Sequence, residues 1–431
     1  MYSSPFSSRV GIASCDVTPP VGVYLAGYAN RTQPSTGVYH ALKAVAVYVE
    51  CGEACWLLLS AEWLGFYEHT ASMRERIEAA AGIPGRCVML TGTHTHCGPA
   101  LREMDRVRHG GIDQAYVDGA LDRMARCAAE ARAAAAPARL RLGVGVCRFA
   151  VSRRRPDGRG GVTWQPWAGG PCDHDVPVLT VESPGGGVRG VVFGYACHPT
   201  SRAGTLIGGD YPTFAADHLE DALPGATAAF IQGCGGDQKP HPVDPGADAF
   251  DQRTVEQVRA LGEQLGDAAL AAVDADDGFD VTGPLTVART EMTLRTEPTD
   301  PVEVQRCRDS RLPHERAWAA HMLAAGPSAP RDVPFEIQVV RFGRSLAIVS
   351  LSGEMTAEYA LNVRRALKGR FEYVWPIGYT NHGIGYVPVA RQIPEGGSEA
   401  TGSNQHMLRT GPYVAETEGR ILAAIQGLLA D

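Results

Sequence analysis

No stretch of this 431-residue chain comes near the ~18 continuous apolar residues that a membrane-crossing helix needs. Positive charge is also scarce. Lys and Arg total 40 against 48 Asp and Glu, a formal net charge of −8, which argues against a broad nucleic-acid or acidic-membrane surface. Closely spaced CxxC pairs are missing. The 11 cysteines are odd in number and scattered, which fits reduced thiols better than a disulfide framework. The first residues, Met1-Tyr2-Ser3-Ser4-Pro5, lack the basic and apolar regions of a signal peptide. A cytoplasmic location is therefore expected. Internal repeats are not visible, and Gly326–Val333 is the best linker candidate, though it is short.

What is present is a recurrent alternation of apolar runs and helical patterns. Strands are predicted at Arg9–Val17, Ala44–Glu50, Cys55–Ala61, Cys87–Thr91, Leu140–Val151 and Val176–Glu182. They return at Gly190–Cys197, Ala228–Gln232, Leu285–Arg295, Phe335–Phe342, Leu346–Leu351 and Tyr373–Ile377. Several are unbroken aliphatic runs, which suits strands covered on both faces. Helical periodicity is clearest over Tyr67–Ala81, Gln114–Ala135, Tyr211–Leu223, Gln252–Val273, Pro301–Ala325, Met355–Lys368 and Tyr413–Leu429. Asp113 and Thr410 are candidate N-caps. This pattern predicts an α/β fold, with a large mixed β-sheet flanked by helices. Two long stretches, Ser152–His174 and Gly378–Arg409, read as irregular active-site loops.

Several strand exits carry chemistry. Thr93-His94-Thr95-His96-Cys97-Gly98-Pro99 follows an apolar run, and two histidines two apart point to one side if the backbone stays extended. Imidazole both ligates zinc and moves protons near neutral pH. A second exit, Tyr195-Ala196-Cys197-His198-Pro199, ends on another histidine. A carboxylate follows a third strand at Ser352-Gly353-Glu354, and a glycine-rich polar loop runs from Tyr379 to Tyr386. Groups at neighbouring strand exits converge where open α/β sheets place their sites. The loop Gln232-Gly233-Cys234-Gly235-Gly236-Asp237-Gln238-Lys239-Pro240-His241 lets backbone approach a ligand closely, or offers N–H groups to an oxyanion. Cys97, Cys197 and Cys234 stand beside these exits, either as small packing groups or as nucleophiles needing a lowered pKa. Arg153-Arg154-Arg155 is either a solvated loop or an anion-recognising one. Asp173-His174-Asp175 is a further set of metal-ligating types.

Taken together, these segments resemble the catalytic domain of the neutral ceramidase family, zinc amidases that cleave N-acyl-sphingosine. The matching stretches are Gly11–Pro20, Gly27-Tyr28-Ala29, the two-histidine motif, Cys197-His198-Pro199, Gly209-Asp210-Tyr211-Pro212, Gly236-Asp237 with Pro240, Gly353-Glu354 and Tyr379–Tyr386, in the family's order. The resemblance implies zinc held by His94, His198, Glu354 and Tyr386, with His96 as acid/base. It places Arg153 near the site, and Tyr386 or Arg153 at the oxyanion. Gly236, Asp237, Gln238, Asn381 and His382 fall on loops expected to meet substrate. Four departures matter. Lys239 stands where the family has serine, Ser398 where it has a second tyrosine, and neither a leader nor a C-terminal immunoglobulin-like domain is expected. The expectation is one catalytic domain over residues 1–431. It would be a zinc-dependent hydrolase cleaving an amide of a soluble small-molecule N-acyl substrate, with Lys239 or Arg153 meeting any anionic group. No nucleic-acid or membrane partner is expected. A zinc-dependent acyltransferase, cyclase or lyase, and a non-catalytic binding protein, are the alternatives.

Overall fold

In the computed structural model, the described residues are 8–102, 104–105, 111–244, 246–326, 329 and 331–430. Residues 1–5, where no signal-peptide pattern is expected, and Pro327, Ser328 and Pro330 of the linker candidate lie outside them.

The larger sheet runs in the order Thr227–Gln232, Val188–Tyr195, Asp175–Glu182, Ala136–Val146, Ser8–Asp16, Lys43–Cys51, Ala54–Ala61 and Val88–Gly92. Its two end pairs are parallel and the interior pairs antiparallel, so the sheet is mixed as expected. The second sheet contains Leu285–Arg295, Asp332–Phe342, Leu346–Leu351 and Tyr373–Ile377. Alternation along a strand explains how the two sheets stack. Val340, Phe342 and Ile348 face Val45, Val47 and Leu58 of the first sheet. Ile337, Val339 and Val349 point the other way, onto Tyr359, Val363, Ile421 and Ile425 of helices Ala357–Ala366 and Thr417–Leu428. Helices Thr70–Ala81 and Gln114–Ala133 cover the outer face at one end of the first sheet. Helices Tyr211–Ala222 and Val255–Val273 cover the other end. The layers are helix, sheet, sheet, helix. The expected architecture stands, with two sheets rather than one supplying the centre. Among the described residues, no helix is long and apolar enough to cross a membrane.

Local chemistry explains several boundary differences. Asp113 is an N-cap, accepting from Tyr116 N at 3.0 Å. Thr410 is not: its hydroxyl donates to Glu297 O at 2.7 Å, and the last helix begins only at Thr417. The single helix expected over Pro301–Ala325 is two, Pro301–Arg308 and Pro313–Ala325, because Pro313 has no N–H to continue a helix and opens a new one. The run Leu140–Val151 breaks into Ala136–Val146 and Ala150–Pro156. Ser152–His174 is largely not an irregular loop. Ala150–Pro156 and Val162–Trp167 form a hairpin, and Gln238–Pro240 adds a third strand.

Candidate metal centre

The parallel strand Val88–Gly92 delivers the two-histidine motif. His94 has φ +67°, so the backbone is not extended there, contrary to the sequence reading. Hydrogen bonds enforce this turn: Thr93 N donates to Ala61 O at 2.8 Å and His94 N to Trp63 O at 2.9 Å. Both rings still enter one buried space, with centroids 5.1 Å apart. His94 Nδ1 lies 2.8 Å from Leu64 O, which leaves Nε2 free to face Glu354 Oε2 at 3.4 Å.

His198 is arranged the same way from another strand. The glycine-rich loop turns its Gly235 carbonyl onto His198 Nδ1 at 2.8 Å. His198 Nε2 then stands 3.1 Å from Glu354 Oε2 and 3.2 Å from the Tyr386 hydroxyl. Glu354 and Tyr386 are directly opposed in a two-residue parallel ladder, which points both side chains to one side.

These contacts have a chemical consequence. A carbonyl beside each Nδ1 fixes the proton there, so each Nε2 presents a lone pair. Two such lone pairs and a carboxylate oxygen then converge without a hydrogen to share. Burial, then the nearby Arg153, holds the His198 imidazole down at about 4, so it stays neutral. The donor set is that of a bound cation, and a metal ion fits it. His96 joins the edge of the group: its ring nitrogens can lie within 4.8 Å of those of His94 and His198, and neither makes a hydrogen bond. Arg31 Nη2 grips its carbonyl at 2.9 Å, and Gly27 packs so closely that a Cβ there would sit 2.3 Å from His96 Nδ1.

The centre opens into a cavity of about 200 Å³, lined by Tyr28, His94, His96, Glu354, Tyr386 and Ser398 among others. A neighbouring chamber of about 470 Å³ shares Tyr67, Arg102 and Met407 with it.

Other expected site residues are placed differently. Asn381 does not face the cavity. Its carbonyl accepts from Leu90 N at 3.0 Å, and its amide donates to Glu336 at 2.5 Å. His382 lines the neighbouring chamber instead of the metal-facing cavity. The loop residues are occupied internally: Gly236 N donates to Met355 O, and Asp237 accepts from Ala357 N, Gln238 and Gln392. Gln238 also donates to Pro171 O. These bonds hold the loop that presents the Gly235 carbonyl, which also accepts from Gln238 N at 2.9 Å. Asp173 and Asp175 are taken by Arg364 and Tyr373, which removes Asp173-His174-Asp175 as a ligand set. Burial pushes the Cys97 thiol up to about 12 and raises Cys197 and Cys234 as well, so none is a ready nucleophile.

Arg153 and Arg154 are buried rather than solvated, and both bind Glu399, each at 2.7 Å. Arg153 stacks 5.1 Å from the Tyr386 ring. Lys239 is also buried, donating to Thr200 Oγ1 at 2.7 Å and Thr200 O at 3.2 Å. Sequence reasoning missed Glu399, Tyr28 and Arg102. Tyr28 lay within the matched Gly27-Tyr28-Ala29. Glu399 carries no local signal, because an ion pair between distant segments leaves no trace in either one; Arg102 is paired locally, with Asp105.

No protein-family model and no curated protein matches the sequence. Solved structures do. One described as a ceramidase complexed with C2 superposes with a TM-score of 0.77 at 20% identity, over 98% of this chain and 75% of that one. The neutral ceramidase from Pseudomonas aeruginosa gives 0.78 at 20% identity, over 98% and 74%. This chain has the fold of the neutral ceramidases.

Proposed function

We propose that this protein is a zinc-dependent hydrolase that cleaves the amide bond of a small, soluble N-acyl substrate. The observation that carries this reading is the convergence of His94 Nε2, His198 Nε2, Glu354 Oε2 and the Tyr386 hydroxyl on one buried point beside a cavity. Imidazole nitrogen with carboxylate oxygen is a donor set that zinc favours, and the likeness to solved ceramidases supports amide chemistry. Zinc held by these residues supplies a Lewis acid that polarises a carbonyl and acidifies water.

The chain's own residues divide the remaining work. His96, with both ring nitrogens unbonded, accepts a proton from the attacking water and hands it to the leaving amine. The Tyr386 hydroxyl, backed by the Arg153 guanidinium, stabilises negative charge developing on the carbonyl oxygen. The limited cavity supports a compact acyl or amine group at the centre, with room for a further arm past Tyr67 and Arg102.

The test is purification without added metal, zinc analysis, and turnover of a panel of N-acyl amides in ¹⁸O-labelled water. Stoichiometric zinc and one labelled oxygen in the released acid are expected. Product without label would point to acyl transfer or elimination. A protein with neither metal nor affinity for it would overturn the reading.

A further inference from the structure

The reaction just proposed leaves one buried cation, Lys239, without work and gives another, Arg153, only a supporting part behind Tyr386. They lie on the same face of the three-stranded sheet. Lys239 is directly opposite Val151 in the ladder between Gln238–Pro240 and Ala150–Pro156, and Arg153 is two residues beyond Val151. They are 3% and 8% exposed, so both are cut off from most of the water that would otherwise screen them. Burying like charges side by side is costly unless an anion completes the set.

Neither cation has a carboxylate to itself. Arg153 shares Glu399 with Arg154, and its Nη2 is buried without a hydrogen bond of good geometry. Lys239 uses two of its N–H groups on Thr200, a neutral residue. The acids that act on this pair at longer range make their hydrogen bonds to other groups. Asp237 is held by Ala357 N, Gln238 and Gln392, Asp210 by Tyr211 N and Arg202 N, and Asp251 by Val243 N. Two aromatic rings roof the pair. Trp164 stacks 4.2 Å from the Arg153 guanidinium, Phe250 lies 5.4 Å from Lys239 Nζ, and the two rings meet edge to face at 6.5 Å. Trp164 is half exposed, so this roof borders solvent.

The pair flanks the proposed metal centre. Arg153 stands behind Tyr386. Lys239 stands behind Thr200, whose carbonyl accepts from the Tyr28 hydroxyl at 3.5 Å, and Tyr28 lines the cavity against His96. We propose that Arg153 Nη2 and Lys239 Nζ bind a carboxylate carried by the substrate, beneath Trp164 and Phe250. The substrate class is then an N-acyl amino acid or a similar amide acid. Two separated single donors match the two oxygens of a monoanion. Lys239 is the residue that makes the set, since the serine it replaces carries no charge.

This proposal rests on the amidase reading, but it is tested by binding, which does not require turnover. The probes are N-acetylglycine and its neutral partner N-acetylglycinamide, titrated calorimetrically into the metal-loaded protein. The acid is expected to bind about 10- to 100-fold more tightly than the amide. Lys239→Met should erase most of that preference, and Lys239→Arg should keep part of it. Equal binding of acid and amide, or a preference unchanged in Lys239→Met, would overturn the proposal. Should Lys239→Met fail to fold, Trp164→Ala at the half-exposed roof replaces it and should weaken acid binding about threefold. An unchanged acid affinity there would count against the site. Hydrolysis of the same two compounds separates the claims. Preference without turnover sinks the amidase reading alone, and turnover without preference sinks this one alone.

Discussion

Two clusters in this molecule contain the same residue types and have opposite characters. Among the described residues, His94, His96 and His198 form one group of potential ligands, completed by Glu354, and Glu291, Glu336 and His382 form the other. In the second, Glu336 is saturated. Arg74 gives it two bonds of 2.8 and 2.7 Å, Arg289 one of 3.3 Å and Asn381 one of 2.5 Å. Its charge is already balanced by protein, so it has nothing to offer a metal. In the first, backbone carbonyls have taken the Nδ1 protons of His94 and His198, and among the described residues no lysine or arginine bonds to Glu354. What separates a metal centre from a structural ion pair is therefore the supply of donors around it. Residue type alone does not tell them apart.

The sharpest way to break this comparison is to disable each cluster in turn. His94→Ala or Glu354→Gln should lower metal affinity at least about 100-fold and bring hydrolysis to background, read by metal analysis and product formation. Full metal occupancy in either variant would discredit the centre. Arg74→Leu should cost about 3–5 kcal/mol in denaturant unfolding while leaving metal content intact, because it strands the fully buried Glu336 charge. Loss of metal with it would mean the clusters are coupled. Gly27→Ala should keep the metal yet slow turnover about 10- to 100-fold, since the added Cβ would run into the His96 ring and Gly27 sits at φ +94°, a backbone that favours glycine. Wild-type turnover in that variant would remove His96 from the reaction.

The smallest effect belongs to a third pair, His40 with Asp217 at 2.8 Å, whose side chains are about a quarter and a third exposed. The Asp217 hydrogen bond outweighs burial and raises the His40 pKa. On Asp217, burial is outweighed by His40, which lowers that pKa. The histidine's contribution is thus complete below its unfolded pKa of about 6.5 and disappears as pH rises through its folded value. The aspartate's contribution disappears as pH falls through its own lowered value. Solvent screening keeps the total under about 1 kcal/mol. His40→Gln should flatten the pH dependence of unfolding above about pH 6.5, where the histidine's contribution fades. A slope identical to wild type would show the pair to be inert.

The layered α/β class and the four converging donors were legible because each donor sits one to three residues past an apolar strand or at a ladder position. There, local sequence and tertiary placement say the same thing. Tyr386 needed the family resemblance, since a tyrosine after glycines has no metal-specific pattern. The failures share one cause. Asn381 and Gln238 look like loop polars, but their hydrogen bonds run to segments far away in sequence. Arg153-Arg154 looks like a solvated run until Glu399 is brought alongside. Ser152–His174 hid a hairpin because its strands carry charged and aromatic residues, not an alternating apolar pattern. Long-range satisfaction of polar groups is invisible to any window of neighbours.

The Glu354–Tyr386 ladder also orders events in time. His94 and His198 leave the first sheet, whereas Glu354 follows Leu346–Leu351 of the second, and Tyr386 comes later still. A ribosome that has completed the first sheet has made both imidazoles but not yet the carboxylate. Capture of the ion must wait for the last stretch of the chain, and its arrival clasps the two sheets together. A metal held by these residues would therefore be captured only after residue 386 has been synthesised.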